Sequence, residues 1–116
     1  MKMEEGVSLF NQQMYWECHE SLEDVWMDDK GDNARNVYWA VIQIAAACIH
    51  YRDGNQVGYE GMNKKAKEKF QRCRSLNVLT SLAFDFLDWD ELEALSMADD
   101  YEGLWNFRFK NYKRVP

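Results

Sequence analysis

The chain has 116 residues, 47% hydrophobic and 15% aromatic, with 14 basic and 20 acidic residues and a net charge of −6. That size and apolar content fit one domain with its own core and exclude a disordered chain. The negative balance argues against nucleic acid and anionic membranes as partners of the whole surface.

The only proline is Pro116, so nothing interrupts a helix along the chain. The start, MKMEEGVSLF, lacks the apolar run of a signal peptide, and a cytoplasmic location is expected. Cys18, Cys48 and Cys73 are far apart with no C-x-x-C pair. Buried, reduced thiols fit that spacing better than a disulfide framework or a zinc site.

Periodicity predicts a short first helix over 3–11 and a second over 13–28, the latter containing YWECHESLEDVW. DDKGDN at 28–33 reads as a turn, with Asp32 or Asn33 capping the next helix. A calcium loop starting at Asp28 would need a bidentate Glu at its twelfth position, which is Trp39, so calcium is excluded. The third helix, 34–53, stops at Gly54-Asn55. Its core from Val37 to Ile49 is apolar nearly all round, with small side chains at Ala40, Ala45, Ala46 and Ala47. A helix of that kind is enclosed by others, although it is too short in apolar length to span a bilayer.

A fourth, amphipathic helix is expected over 56–74, with Tyr59, Met62, Ala66, Phe70 and Cys73 on one side. Its other faces are basic, with Lys64, Lys65, Lys67, Lys69, Arg72 and Arg74. Residues 85–102 are acidic without a base, and Trp89–Ala98 forms a short acidic helix. These two runs read as solvated faces, with an RNA-binding helix as the minor reading. The tail LWNFRFKNYKRV resists assignment. Trp105, Phe107, Phe109 and Tyr112 are too many aromatics for a free end, so the tail should pack on the bundle or on a second copy, making a homo-oligomer. The expected architecture is an all-α single domain over 1–116, a bundle of four to five helices around the third. Its core is 7–98, and 99–116 is a tail without an assigned role.

Polar residues on apolar faces then need partners. On the second helix Tyr15, Leu22 and Trp26 share a stripe that includes His19, with Glu23 and Trp16 beside it and Glu20 at its border. His19 and Glu23 are an i, i+4 pair. On the third helix Asn36, Trp39, Gln43 and His50 share a face. Folding the two helices about their turn places His19 against Gln43 and His50 against Asn11. Left unpaired, each buried polar group would cost roughly 1–3 kcal/mol.

His19-Glu20 opens the zinc-protease pattern H-E-x-x-H, but the fifth position is Glu23. His50 lies roughly 12 Å from the level of His19 along the bundle, so one ion cannot join both histidines. No metal and no cofactor are therefore expected. Cys18 and His19 diverge by about 100° on a helix and make no nucleophile–base pair. Gly54, Gly58 and Gly61 fit no phosphate loop.

Phe10-Asn11, Tyr15-Trp16-Glu17, His19-Glu20, Leu22-Glu23 and Trp26, followed by Ile42-Gln43-Ile44-Ala45, His50, Gly54-Asn55 and Gly58, form one ordered pattern. It resembles domain-of-unknown-function family 309 over residues 7 to about 74, with an echo at Asp90-Glu91-Leu92. Cys18 stands where that family tends to have alanine, and the resemblance does not reach the tail. It implies an all-helical domain without an established activity or substrate. It also marks His19, Glu20, Glu23, Trp26, Gln43 and Asn55.

The favoured function is a small helical domain whose polar cluster organises the core or binds a small ligand or partner. The cluster comprises Asn11, Trp16, His19, Glu20, Glu23, Trp26, Gln43, His50 and Asn55. The alternative is a hydrolase with Glu20 or Glu23 as general base and His19 as acid or metal ligand. The third is an RNA-associated module using the basic fourth helix and the tail.

Overall fold

The computed structural model describes residues 2–28, 35–75 and 89–109; the side chains of 2–4, 25–28 and 35 are outside the description. Within it the chain is all-α, with six helices rather than four to five. They are α1 (Lys2–Asn11), α2 (Tyr15–Asp28), α3 (Arg35–Arg52), α4 (Gln56–Ser75), α5 (Trp89–Met97) and α6 (Tyr101–Asn106). The expected cap at Asp32 or Asn33 and the aromatic Tyr112 lie outside the described residues. No helix among those described is long and apolar enough to cross a membrane.

α1 packs on α2, α2 on α3 and α3 on α4, while α5 sits on α4 and α6 closes against α3 and α5. The predicted central role of α3 follows from its composition. Val37, Ala40, Val41, Ile42, Ile44 and Ala45 are all buried, because the helix carries apolar side chains on nearly every face. Ile42 and Ala45 are fully enclosed as expected, whereas Ala46 and Ile49 are half-buried.

Three helices end the same way. At Gln13, Gly54 and Asp99 the backbone takes a left-handed conformation, with φ of 60°, 73° and 54°. In each case the next amide reaches back five residues: Met14 N–H to Leu9 O at 3.0 Å, Asn55 N–H to His50 O at 2.9 Å and Asp100 N–H to Leu95 O at 3.0 Å. These bonds satisfy carbonyls that a helix end would leave without partners. Only Gly54 adopts this conformation without a Cβ penalty.

The described part of the tail, residues 99–109, belongs to the fold. α6 starts at the cap Asp100, whose carboxylate accepts from Gly103 N–H at 2.9 Å. Leu104, Phe107 and Phe109 are buried in the same core as Phe10, Tyr15 and Ile44.

Candidate functional site

α2 presents two faces of different chemistry. Tyr15, Cys18 and Leu22 are buried at the i, i+3, i+7 spacing of a core stripe. On the other side Trp16 is 59% exposed, Glu17, Glu20 and Asp24 are exposed, and α2 contains no Lys or Arg. His19 lies at the boundary between them.

The geometry around His19 is specific. Its Nε2 meets Glu23 Oε2 at 2.9 Å, one helical turn away. The Trp16 ring stacks on the imidazole, with centroids 5.5 Å apart and planes 24° from parallel. His19 Nδ1 is buried without a hydrogen-bond partner. In the neutral ring this contact makes Nε2 the N–H donor and leaves the buried Nδ1 as the acceptor nitrogen.

The expected His19–Gln43 hydrogen bond is absent, because the imidazole turns along its own helix to Glu23 instead of across to α3. Gln43 is half-buried on α3. Glu20 is exposed, and the side chain of Trp26 lies outside the description.

His50 does not meet Asn11 either. The chain reverses at Gln13, so Asn11 belongs to α1, off the line of α2 along which that pairing was projected. His50 Nδ1 instead faces Asn55 Nδ2 at 3.2 Å. Asn55 caps α4, its Oδ1 accepting from Gly58 N–H at 3.0 Å. That bond fixes which way the amide points, so its NH2 faces the ring and His50 Nδ1 is the acceptor. The ring also packs directly over Gly58, where a Cβ would lie 2.5 Å from the imidazole Cγ.

Asn11 has a different partner. Its Nδ2 donates to the Phe109 carbonyl and its Oδ1 accepts from the Phe109 N–H, both at 2.8 Å.

A buried polar network around Asn63 escaped the sequence reading. Asn63, fully buried on α4, donates to Ser96 O at 3.0 Å and Asp99 Oδ1 at 2.9 Å, and accepts from Ser96 Oγ at 2.6 Å. Its position on the stripe with Ala66, Phe70 and Cys73 was the available signal. Asp99 also takes Lys67 Nζ at 2.8 Å, which together with its other hydrogen bonds lowers its pKa from the ordinary 3.8. Arg74 binds both carboxylate oxygens of Glu93, through Nε at 2.9 and 2.7 Å. The basic and acidic runs thus join inside one chain at these two points.

The chemistry available at His19 is limited by where its nitrogens point. A carboxylate-oriented imidazole acts as a base through its other nitrogen, and here that atom is shielded from solvent. Cys18 is fully buried and burial pushes its thiol up to about 12, far from a reactive thiolate. Among the described residues no three His, Cys, Asp or Glu side chains converge as a metal ligand set.

Fold and α2 face together define a small all-helical domain with an aromatic and acidic surface. Residues 3–62 match the model of the family described as Domain of unknown function (DUF309), and the chain belongs to that family. It is similar to the uncharacterized protein YpuF of Bacillus subtilis (strain 168), 39% identical over 44 residues, or 38% of this chain. The aligned stretch spans 25% of that curated relative's length. No solved structure matches the chain.

Proposed function

We propose that this protein is a binding module without catalytic chemistry of its own, and that the outer face of α2 takes a cationic group of a partner or ligand. The observation that carries the reading is the exposed Trp16 stacked on His19, itself held by Glu23. An indole left largely in water forgoes the gain of burial, which favours a surface role over core organisation. Its ring face attracts cations, and the nearby Glu17, Glu20 and Asp24 add negative charge with no Lys or Arg on the helix to neutralise it. Beside them runs a shallow groove of about 410 Å³, lined by Glu5, Leu9, Glu17, Glu20, Ser21 and Asp24. A guanidinium suits this combination, because it stacks on indole and pairs with carboxylates at once.

The test is calorimetric titration of the full chain with an arginine-rich peptide at low and moderate salt. Binding should weaken with salt, and Trp16→Ala or Glu20→Gln should weaken it at least about fivefold. Affinity unchanged in Trp16→Ala would rule this reading out.

A further inference from the structure

The corner joining α1 to α2 holds residues 105–109 in a manner different from the rest of the core. It grips them largely by their main chain. Asn11 makes both hydrogen bonds to Phe109, pairing with its N–H and carbonyl as a neighbouring strand would. Gln13 Nε2 and Tyr15 OH donate to the Trp105 carbonyl at 3.1 and 3.0 Å. Gln13 sits at φ 60°, a conformation that side chains other than glycine seldom adopt, and it is this residue that turns the corner.

Beneath the main-chain contacts lie places for two alternate side chains. Phe107 and Phe109 are both buried, and the ring of Phe10 meets them edge-on at 6.2 and 5.3 Å. Arg108, between them, is only half-buried. An extended segment that inserts every second side chain and is held by its backbone is the usual arrangement of a bound peptide. Phe10, Asn11, Gln13 and Tyr15 all lie inside the family-matched residues 3–62, and the segment they hold lies outside them.

We infer that the α1–α2 corner is a docking site for an extended peptide of the pattern aromatic-X-aromatic, filled in this chain by its own Phe107 and Phe109. Asn11 recognises the peptide backbone, and Phe10, backed edge-on by Tyr15, supplies the aromatic floor. The site is separate from the outer face of α2, so it stands or falls independently of that reading.

The experiment uses the full chain carrying Phe107→Ala and Phe109→Ala, which empties both places, and a fluorescent blocked peptide NFRFKNY. Anisotropy should show saturable binding to this variant. The unsubstituted chain should bind at least about tenfold more weakly, since its own tail competes at high effective concentration. Adding Asn11→Ala to the double variant should cost about tenfold or more. A peptide with both Phe replaced by Ala should not bind. If the double variant does not fold unaided, peptide-induced recovery of its helical circular dichroism is the same positive result. No binding and no recovery, equal binding with Asn11→Ala, or equal binding of the Ala peptide each overturns the proposal.

Discussion

Asn11 and Phe109, 98 residues apart in sequence, are joined by two hydrogen bonds of 2.8 Å between one side-chain amide and one peptide unit. Deleting that amide strands a partly buried N–H and a carbonyl together. Asn11→Ala should therefore lower stability by roughly 2–3 kcal/mol, and Asn11→Asp, which keeps only the acceptor, should not recover it. Urea melts give both numbers. A loss below about 0.5 kcal/mol in Asn11→Ala would mean that residues 107–109 are held by their phenylalanines alone.

His19 and Glu23 lead to the opposite expectation. Their pair is partly exposed, and ion pairs of that kind contribute about 0–1 kcal/mol. His19→Leu also removes the buried Nδ1 that has no partner. The melting midpoint of His19→Leu should stay level or rise, and Glu23→Gln should change stability by less than about 1 kcal/mol. A loss above about 2 kcal/mol in either variant would return this pair to the role of core organiser.

What could be read from the sequence was what periodicity encodes. The apolar circumference of α3 and the buried stripe of α4 follow from side-chain spacing, so their placement was legible. The helix end at Gly54 was legible because glycine marks a left-handed residue. The ends of α1 and α5 fell within a residue of their expected places, but Gln13 and Asp99 carry no glycine to mark their left-handed turns, and the start of α6 was not foreseen. Polar pairings were the least legible. His19, His50 and Asn11 all found partners through local turns or distant backbone rather than across the α2–α3 seam. Residue spacing constrains which face a group occupies, and leaves open which of several neighbours it turns towards.

Asn63 should be among the least replaceable polar residues of the described fold. Its amide satisfies Ser96 on both backbone and hydroxyl, and also bonds Asp99, all from a fully buried position. Asn63→Leu leaves these groups facing an apolar side chain, and a loss of about 2–4 kcal/mol is expected. Substituting Lys64, one residue on and exposed, should cost less than about 0.5 kcal/mol. Similar losses at the two positions, seen by chemical denaturation, would contradict this network's importance.

Asp99 ties the same network to pH. Its carboxylate has a folded pKa below the ordinary 3.8, chiefly because Lys67 hydrogen-bonds it, with further bonds from Asn63 and Tyr101. A depressed folded pKa means stability that is fully present above 3.8 and is lost as pH falls through the folded value. Asn tolerates the left-handed backbone at this position, so Asp99→Asn removes the charge with little added strain. The variant should be less stable than the parent at neutral pH, and the two should converge as acid protonates the parent. Parallel acid melts, with a constant gap down through this range, would show that the Asp99 charge does not stabilise the fold.

Gly58 and His50 offer a test in which one substitution changes sign. Gly58 lies in the first turn of α4, where alanine normally stabilises a helix by roughly 0.5–1 kcal/mol. Here the new Cβ would sit 2.5 Å from His50 Cγ and 2.8 Å from the Asn55 amide nitrogen. The ring cannot yield freely, since its Nδ1 is engaged by Asn55, whose other end is committed to the Gly58 N–H. Gly58→Ala alone should therefore destabilise by about 1–3 kcal/mol. In a His50→Ala background the space opens and the helix preference takes over, so the same change should become neutral or stabilising. A double-mutant cycle measures the difference directly, with an expected coupling of about 1–3 kcal/mol. Equal effects of Gly58→Ala in both backgrounds would show that the imidazole does not rest on this glycine, and that the turn owes its glycine to something other than His50.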